Sequence, residues 1–428
     1  MQDAALRLKS LVEQLLGAPL PLRIRAWDGS EAGPPAAPVL VVRNRRAVRR
    51  LLWKPGELGL ARAWVAGDLG VEGDLYAALD LMSGLLWERG EDARGVGEAL
   101  RDSEVRAALR GLVKLAGPLP PAPPAEEVRR RRHLHTKRSD KRAISHHYDV
   151  GNDFYEIVLG PSMVYSCAYW EDDGSLEDAQ RDKLELIARK LDLKPGQRLL
   201  DVGCGWGSMA IHAAREHGVS VVGVTLSQEQ AAYARKRVAD EGLTDRVEIR
   251  VQDYRDVTDG PYDAISSIGM AEHVGAERYL EYAETLRRLL RPGGRLLNHQ
   301  IARPPRRDES AYSVDEFIDA YVFPDGELAP VGTTVTQLER AGFEVRDVES
   351  IREHYALTLR HWVANLEEQW TRAVRLTSPG RARVWRLYMA ASALAFEHNR
   401  IGVNQVLAVR TPEASGASGM PLRARDWN

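Results

Sequence analysis

The segment Leu199-Leu-Asp-Val-Gly-Cys-Gly-Trp-Gly-Ser208 constrains this chain more than any other. An apolar run ends in an acid, three glycines follow at alternate positions, and a helical pattern begins. Glycine tolerates positive φ and lets bare backbone approach a ligand beside a helix N-terminus. Gly203, Gly205 and Gly207 therefore predict a strand, a tight ligand-facing turn and a helix. The sequence beyond alternates strand-like apolar runs with amphipathic helical patterns, as a parallel sheet covered on both faces requires. Strands are predicted at 198–202, 220–225, 247–251, 264–267, 295–301, 343–348 and 404–410. Ser227 with Gln230 three residues on predicts a capping box, and Pro292-Gly-Gly294 predicts the end of the helix before the fifth strand. The expected fold is α/β, with a seven-stranded, doubly wound, Rossmann-like domain.

A chain of 428 residues exceeds the usual size of one core. Gly117-Pro-Leu-Pro-Pro-Ala-Pro-Pro124, followed by an arginine run, has linker composition. The expected division is a smaller α+β domain at 1–116, a Pro/Arg-rich linker at 117–143, the sheet domain at 144–412 and a tail at 413–428. In the first domain, 20–25, 39–43 and 51–69 read as short strands and turns between helices such as 75–86. With 59 basic and 61 acidic side chains, composition suggests no nucleic-acid partner. Arg43, Arg45, Arg46, Arg49, Arg50 and Lys54, then Arg129 to Arg132 with Lys137, Arg138, Lys141 and Arg142, either face anionic lipid headgroups or form a solvated face and linker. Cys167 and Cys204 make no disulfide scaffold, and no apolar run approaches the roughly 18 residues of a membrane span. The expected location is cytoplasmic.

The glycine spacing is GxGxG rather than the GxGxxG of dinucleotide sites. Dehydrogenases carry an acid at the end of the second strand to hold a ribose; this chain has Val224-Thr-Leu-Ser227 there. Asp201, before the loop, suits a ligand that bears an ammonium and lacks pyrophosphate. After the third strand, Asp253-Tyr-Arg255 offers a carboxylate for an adenine amino group and a side chain to cover the ring. These features favour S-adenosylmethionine over a nicotinamide cofactor, and a class I methyltransferase domain.

Five segments, the glycine loop among them, carry a resemblance: His146-His-Tyr-Asp-Val-Gly-Asn-Asp-Phe-Tyr155, Val164-Tyr-Ser-Cys-Ala-Tyr-Trp170, Leu200-Asp-Val-Gly-Cys-Gly-Trp-Gly207, Met270-Ala-Glu-His-Val-Gly275 and Glu353-His-Tyr-Ala-Leu-Thr-Leu359. Together, across 144–410, they resemble the cyclopropane-fatty-acyl-phospholipid synthases and mycolic acid cyclopropane synthases. The resemblance implies catalytic roles for Cys167, Glu272, His299 and Tyr355, which with the backbone at Ile301 hold a bicarbonate ion beside the reacting alkene. It implies cofactor contacts at Tyr165, Ser166, Gly203, Gly205, Thr225, Leu226, Gln230, Asp253, Tyr254 and Ile268. It also implies phospholipid acyl chains at the bilayer surface as substrate, peripheral membrane association and a homodimer. Leu60-Ala-Arg-Ala-Trp-Val-Ala-Gly-Asp-Leu69 is similar, with departures, to a helical pattern in the amino-terminal domain of bacterial members, where that domain engages lipid or dimerises.

The residue types suit the chemistry. An unactivated alkene is a poor nucleophile and needs close positioning in a dry pocket. Attack on the sulfonium methyl leaves a carbocation, which aromatic faces can stabilise; Tyr165, Tyr169, Trp170, Phe317 and Tyr321 are candidates. Ring closure then loses a proton from the transferred methyl to a base. His146 and His147 read as shaping a pocket lid. Cyclopropane formation is the first expectation, and a 10-methylene product on oleoyl chains, a tuberculostearate precursor, is the second. A methyltransferase for small amines or phenols would lack the base cluster, and a catalytically inactive lipid-binding partner would have lost it.

Overall fold

A computed structural model describes residues 3–87, 102–128, 150–171, 174–324, 326–423 and 425. The arginine run at 129–142, His146 and His147 lie outside the described residues. The chain divides into two compact units, one of Met1–Arg130, Asp315–Val322 and Thr377–Leu394, the other of Arg131–Val314, Phe323–Leu376 and Ala395–Asn428.

The second unit is built on a seven-stranded sheet. Its strands are β5 (Arg198–Val202), β6 (Ser220–Thr225), β7 (Val247–Val251), β8 (Tyr262–Ile268), β9 (Leu290–Ala302), β10 (Glu344–Ser350) and β11 (Gly402–Val409), in the spatial order β10-β11-β9-β8-β5-β6-β7. The five strands from β9 to β7 pair in parallel, while β11 runs antiparallel to both neighbours. This is the predicted doubly wound α/β sheet. Burial on both faces explains the nearly continuous apolar runs: along β5, Leu199 joins one core with Ile187, Ala210 and Val221, and Leu200 joins the other with Ile265, Leu286 and Leu296.

Two local expectations change. The helix Tyr279–Leu289 ends before Pro292, because the residue preceding a proline is driven out of helical backbone. Pro292-Gly-Gly294 instead lies within β9, where its pairing with β8 shifts register between Tyr262 and Ala264. At the helix Gln228–Asp240, Ser227 does cap the Gln230 amide. The reciprocal half of the box is missing, because the Ser227 amide donates to Thr225 Oγ1, whose hydroxyl donates to Gln230 Oε1.

The first unit is α+β. Its sheet has the order β2-β1-β3-β4, with β1 at Arg23–Arg25, β2 at Glu31–Ala32, β3 at Val39–Val42 and β4 at Leu69–Glu72. Residues 51–69 are mostly helical, in Arg46–Trp53 and Glu57–Val65, and not strands and turns. Apolar Leu58, Ala61 and Val65 recur at helical spacing on the buried side. The basic run beside them has internal work. Arg50 is buried against Asp68 and donates to the Ala122 carbonyl at 2.7 Å, and Trp53 Nε1 donates to the Pro118 carbonyl at 2.8 Å. Proline-rich backbone lacks internal hydrogen bonds, so its carbonyls take these donors and residues 118–122 are fastened to the unit. Arg43 likewise donates to the Leu69 carbonyl, and Lys54 pairs with Glu316. No helix among the described residues is long and apolar enough to cross a membrane.

Candidate active site

The carboxyl ends of β5, β6 and β8 open onto one cavity, where an open α/β sheet binds its ligands. All ten positions expected to touch the cofactor line it: Tyr165, Ser166, Gly203, Gly205, Thr225, Leu226, Gln230, Asp253, Tyr254 and Ile268. Gly203, Gly205 and Gly207 have φ of 79°, 54° and 83°, the left-handed region where other residues are strained. A Cβ on Gly205 would meet nothing within 4 Å, so the middle of the loop presents bare backbone to open space. Asp201 Oδ1 accepts from Ser266, while Oδ2 is buried and has no hydrogen-bond partner in the protein. Burial raises this carboxyl to about 6, opposed by Ser266 and Lys183. An unsatisfied carboxylate oxygen beside bare backbone suits the ammonium of an amino-acid moiety.

Asp253 differs from expectation in one respect. Its two oxygens accept from Arg255 at 2.8 and 2.6 Å, so an adenine amino group would share a carboxylate that is already ion-paired.

The cavity also contains Lys183, which the sequence did not single out, and Trp206, Met270 and His273, which lie in the quoted motifs without an assigned role. Lys183 is 1% exposed and donates to Ser166 Oγ at 2.9 Å. Desolvation brings its ammonium down to about 7, with Cys167 and Asp201 pulling the other way. The available signal was amphipathic: Lys183 falls on the buried side of the helix Leu176–Leu191, between Ala179 and Ile187 at four-residue spacing. A Lys183→Met variant should bind S-adenosylhomocysteine roughly tenfold or more weakly by calorimetry, as expected for a lost charged hydrogen bond. Unchanged affinity would assign the lysine to folding alone.

The second set of expected residues lies outside that lining, in adjoining elements. Glu272, two residues beyond Met270, accepts from the Ile301 amide through Oε1 at 2.8 Å, and its Oε2 is buried without a partner. Burial raises its carboxyl to about 7, partly offset by the Ile301 bond. The Ile301 amide, expected to face an anion, is thus committed to orienting Glu272. His299 stands two residues earlier on β9, opposite Ile268 of β8, and its Nε2 is also buried without a partner. Burial, then the charges of Lys183 and Lys190, hold this imidazole well below its ordinary pKa and therefore neutral.

Cys167 is fully buried, with its thiol near the Ile351 carbonyl at 3.6 Å. The Ile351 amide donates to Val403, which is paired with Ile301. A chain of direct contacts therefore joins Cys167 to Glu272. Tyr355 lies one turn into the helix Arg352–Glu368, 6.0 Å from the fully buried Trp362, whose ring is 5.4 Å from cavity-lining Tyr165. Trp362 is a further residue missed in the sequence.

The other aromatic candidates fall elsewhere. Tyr169 stacks on His354 and Trp170 on His361, at 4.7 and 4.5 Å. Phe317 and Tyr321 belong to the first unit, where the Tyr321 hydroxyl donates to Glu127 at 2.9 Å. Of the five, only Tyr165 lines the cavity. Among the described residues one group could chelate a metal: Glu185, His212 and His217, with ligand atoms within 4.8 Å of one another. Glu185 Oε2 bonds both imidazoles, which accounts for the grouping as a hydrogen-bonded cluster.

This fold, with a glycine loop at the end of β5 and beside it a cavity lined by the expected cofactor positions, defines a class I S-adenosylmethionine-dependent methyltransferase. The mycolic acid cyclopropane synthetase family model matches residues 135–406, and the chain belongs to that family of enzymes. It is 46% identical over 415 residues to a probable fatty acid methyltransferase of Mycobacterium tuberculosis, covering 94% of each chain. It is 41% identical over 267 residues to the cyclopropane-fatty-acyl-phospholipid synthase of Escherichia coli, covering 62% of this chain and 67% of the relative. Among solved structures it resembles the mycolic acid cyclopropane synthase CmaA1 complexed with S-adenosylhomocysteine, with a TM-score of 0.60 and 34% identity, over 63% of this chain and 98% of that one.

Proposed function

We propose that the enzyme alkylates the cis double bond of unsaturated phospholipid acyl chains and closes the resulting cation to a cyclopropane. The observation that carries this reading is the pair of buried polar atoms left without partners, Glu272 Oε2 and His299 Nε2. Buried groups of this kind are ordinarily satisfied, so a small polar species that both accepts and donates hydrogen bonds suits them. Bicarbonate has that character, and when bound it would supply an acceptor for the proton lost at ring closure. S-adenosylmethionine, when bound, supplies an electrophilic methyl.

The chain's own residues do the rest. Lys183, Asp201 and the glycine loop hold the cofactor's polar end, while Tyr165, Trp206 and Met270 keep water from the reacting atoms. His299 donates from Nε2 to the anion, and Glu272, fixed by the Ile301 amide, accepts the anion's own proton. Cys167, raised well above its ordinary pKa by burial, stays a thiol and is no competing nucleophile.

A second reading is favoured by the 46% identity to a probable fatty acid methyltransferase: the same cation shifts a hydride and loses a neighbouring proton, leaving a 10-methylene group. Peripheral membrane association and a homodimer accompany either reading as proposals. The test incubates the protein with methyl-labelled cofactor and oleoyl phospholipid vesicles, then analyses the acyl chains. Both products gain one CH2, but ozonolysis cleaves the methylene and spares the cyclopropane. No gain of carbon would sink both readings, and activity on phosphoethanolamine alone would replace them with a headgroup methyltransferase.

A further inference from the structure

One lateral row of residues crosses four strands. Glu349 of β10 is paired with Gln405 of β11, Gln405 with His299 of β9, and His299 with Ile268 of β8 at the cavity wall. Residues directly opposite across strands present their side chains to the same face. From the helix over that face, Lys190 donates to Glu349 and, at 2.7 Å, to Gln405 Oε1. Lysine has donors only, so this bond fixes which end of the Gln405 amide is the oxygen. The amide nitrogen is then the end that faces His299 Nδ1, at 3.4 Å. A donor against Nδ1 makes that nitrogen the acceptor, which in a neutral imidazole places the proton on Nε2.

We propose that Lys190 and Gln405 are positioning residues that lock His299 in its Nε2–H tautomer and so aim a hydrogen-bond donor at the atom's buried, unpartnered side. The inference rests on the proposed role of His299 for its consequence in turnover, but the tautomer itself does not. Glu349 completes the row by neutralising the Lys190 ammonium, which is fully buried.

The test labels the full-length protein with 15N-histidine, assigns His299 by its loss in a His299→Gln variant, and reads the tautomer from two-bond 1H–15N couplings. The wild type should show Nε2–H. Gln405→Leu and Lys190→Met, each checked for folding by S-adenosylhomocysteine binding, should shift the population toward Nδ1–H. They should also lower kcat roughly tenfold or more at little change in KM, part of what a positioned proton-transfer network supplies. Lys190→Arg, which keeps a donor at Gln405 Oε1, should restore the Nε2–H tautomer. An unchanged tautomer in both disabling variants overturns the proposal. A shifted tautomer with full turnover upholds the row and counts instead against the role given to His299.

Discussion

Glu272→Gln is expected to reduce turnover by roughly 10²–10⁴-fold, the range attributed to a positioned proton-transfer group, with S-adenosylhomocysteine affinity retained. Glutamine is nearly isosteric and can still accept from the Ile301 amide through its oxygen. It cannot accept a proton through the position of Oε2. The pH dependence has a definite sign. Burial lifts the carboxyl to about 7, and the proposed role needs the carboxylate, so kcat/KM should rise with pH through about 7 when bicarbonate is kept in excess. That inflection should vanish in the variant. Stability runs the opposite way. A folded pKa raised above the unfolded value contributes stability at low pH that is lost as pH rises through about 7. The variant should therefore melt higher than wild type above that pH. Equal turnover, or an unaltered inflection, would remove Glu272 from the mechanism.

The second large effect is expected at Gly203. Its φ of 79° places an L residue in the left-handed region, a cost of about 1–2 kcal/mol. An added Cβ would stand 2.9 Å from Met270 Cγ, closer than two carbons tolerate. Gly203→Ala should lower the melting temperature by several degrees. It should also weaken cofactor binding by at least about tenfold, since the residue it displaces, Met270, is part of the cavity wall. Gly205→Ala is the internal control. Its φ is also positive, at 54°, but a Cβ there meets only open space, so it should lose cofactor affinity with less loss of stability. If Gly203→Ala bound S-adenosylhomocysteine normally, the loop would not be the cofactor's cradle.

Much of this was legible in the sequence because it depends on local chemistry. The β5–glycine–helix junction, the three strands β5, β6 and β7 at their predicted bounds, and the Ser227 cap all follow from backbone preference and apolar spacing within a few residues. Residues 51–69 were misread because short apolar runs fit strands and helices alike until their spacing is weighed. The Arg43–Lys54 charges looked like a surface, and sequence cannot say that extended proline-rich backbone will supply carbonyls for Arg50 and Trp53.

By itself, the amino-acid sequence determined the doubly wound sheet and the ligand-facing glycine turn, and its resemblance to a methyltransferase family pointed to ten positions that line one cavity. Only tertiary structure decided that a lysine at the helix's buried side enters that cavity, that Glu272 spends one oxygen on the Ile301 amide, and that Gln405 stands opposite His299. The physical reason is range. Strand and turn propensities act between neighbours along the chain, whereas strand register and burial set which polar atoms meet across separations such as 29 and 106 residues and what each loses in hydration.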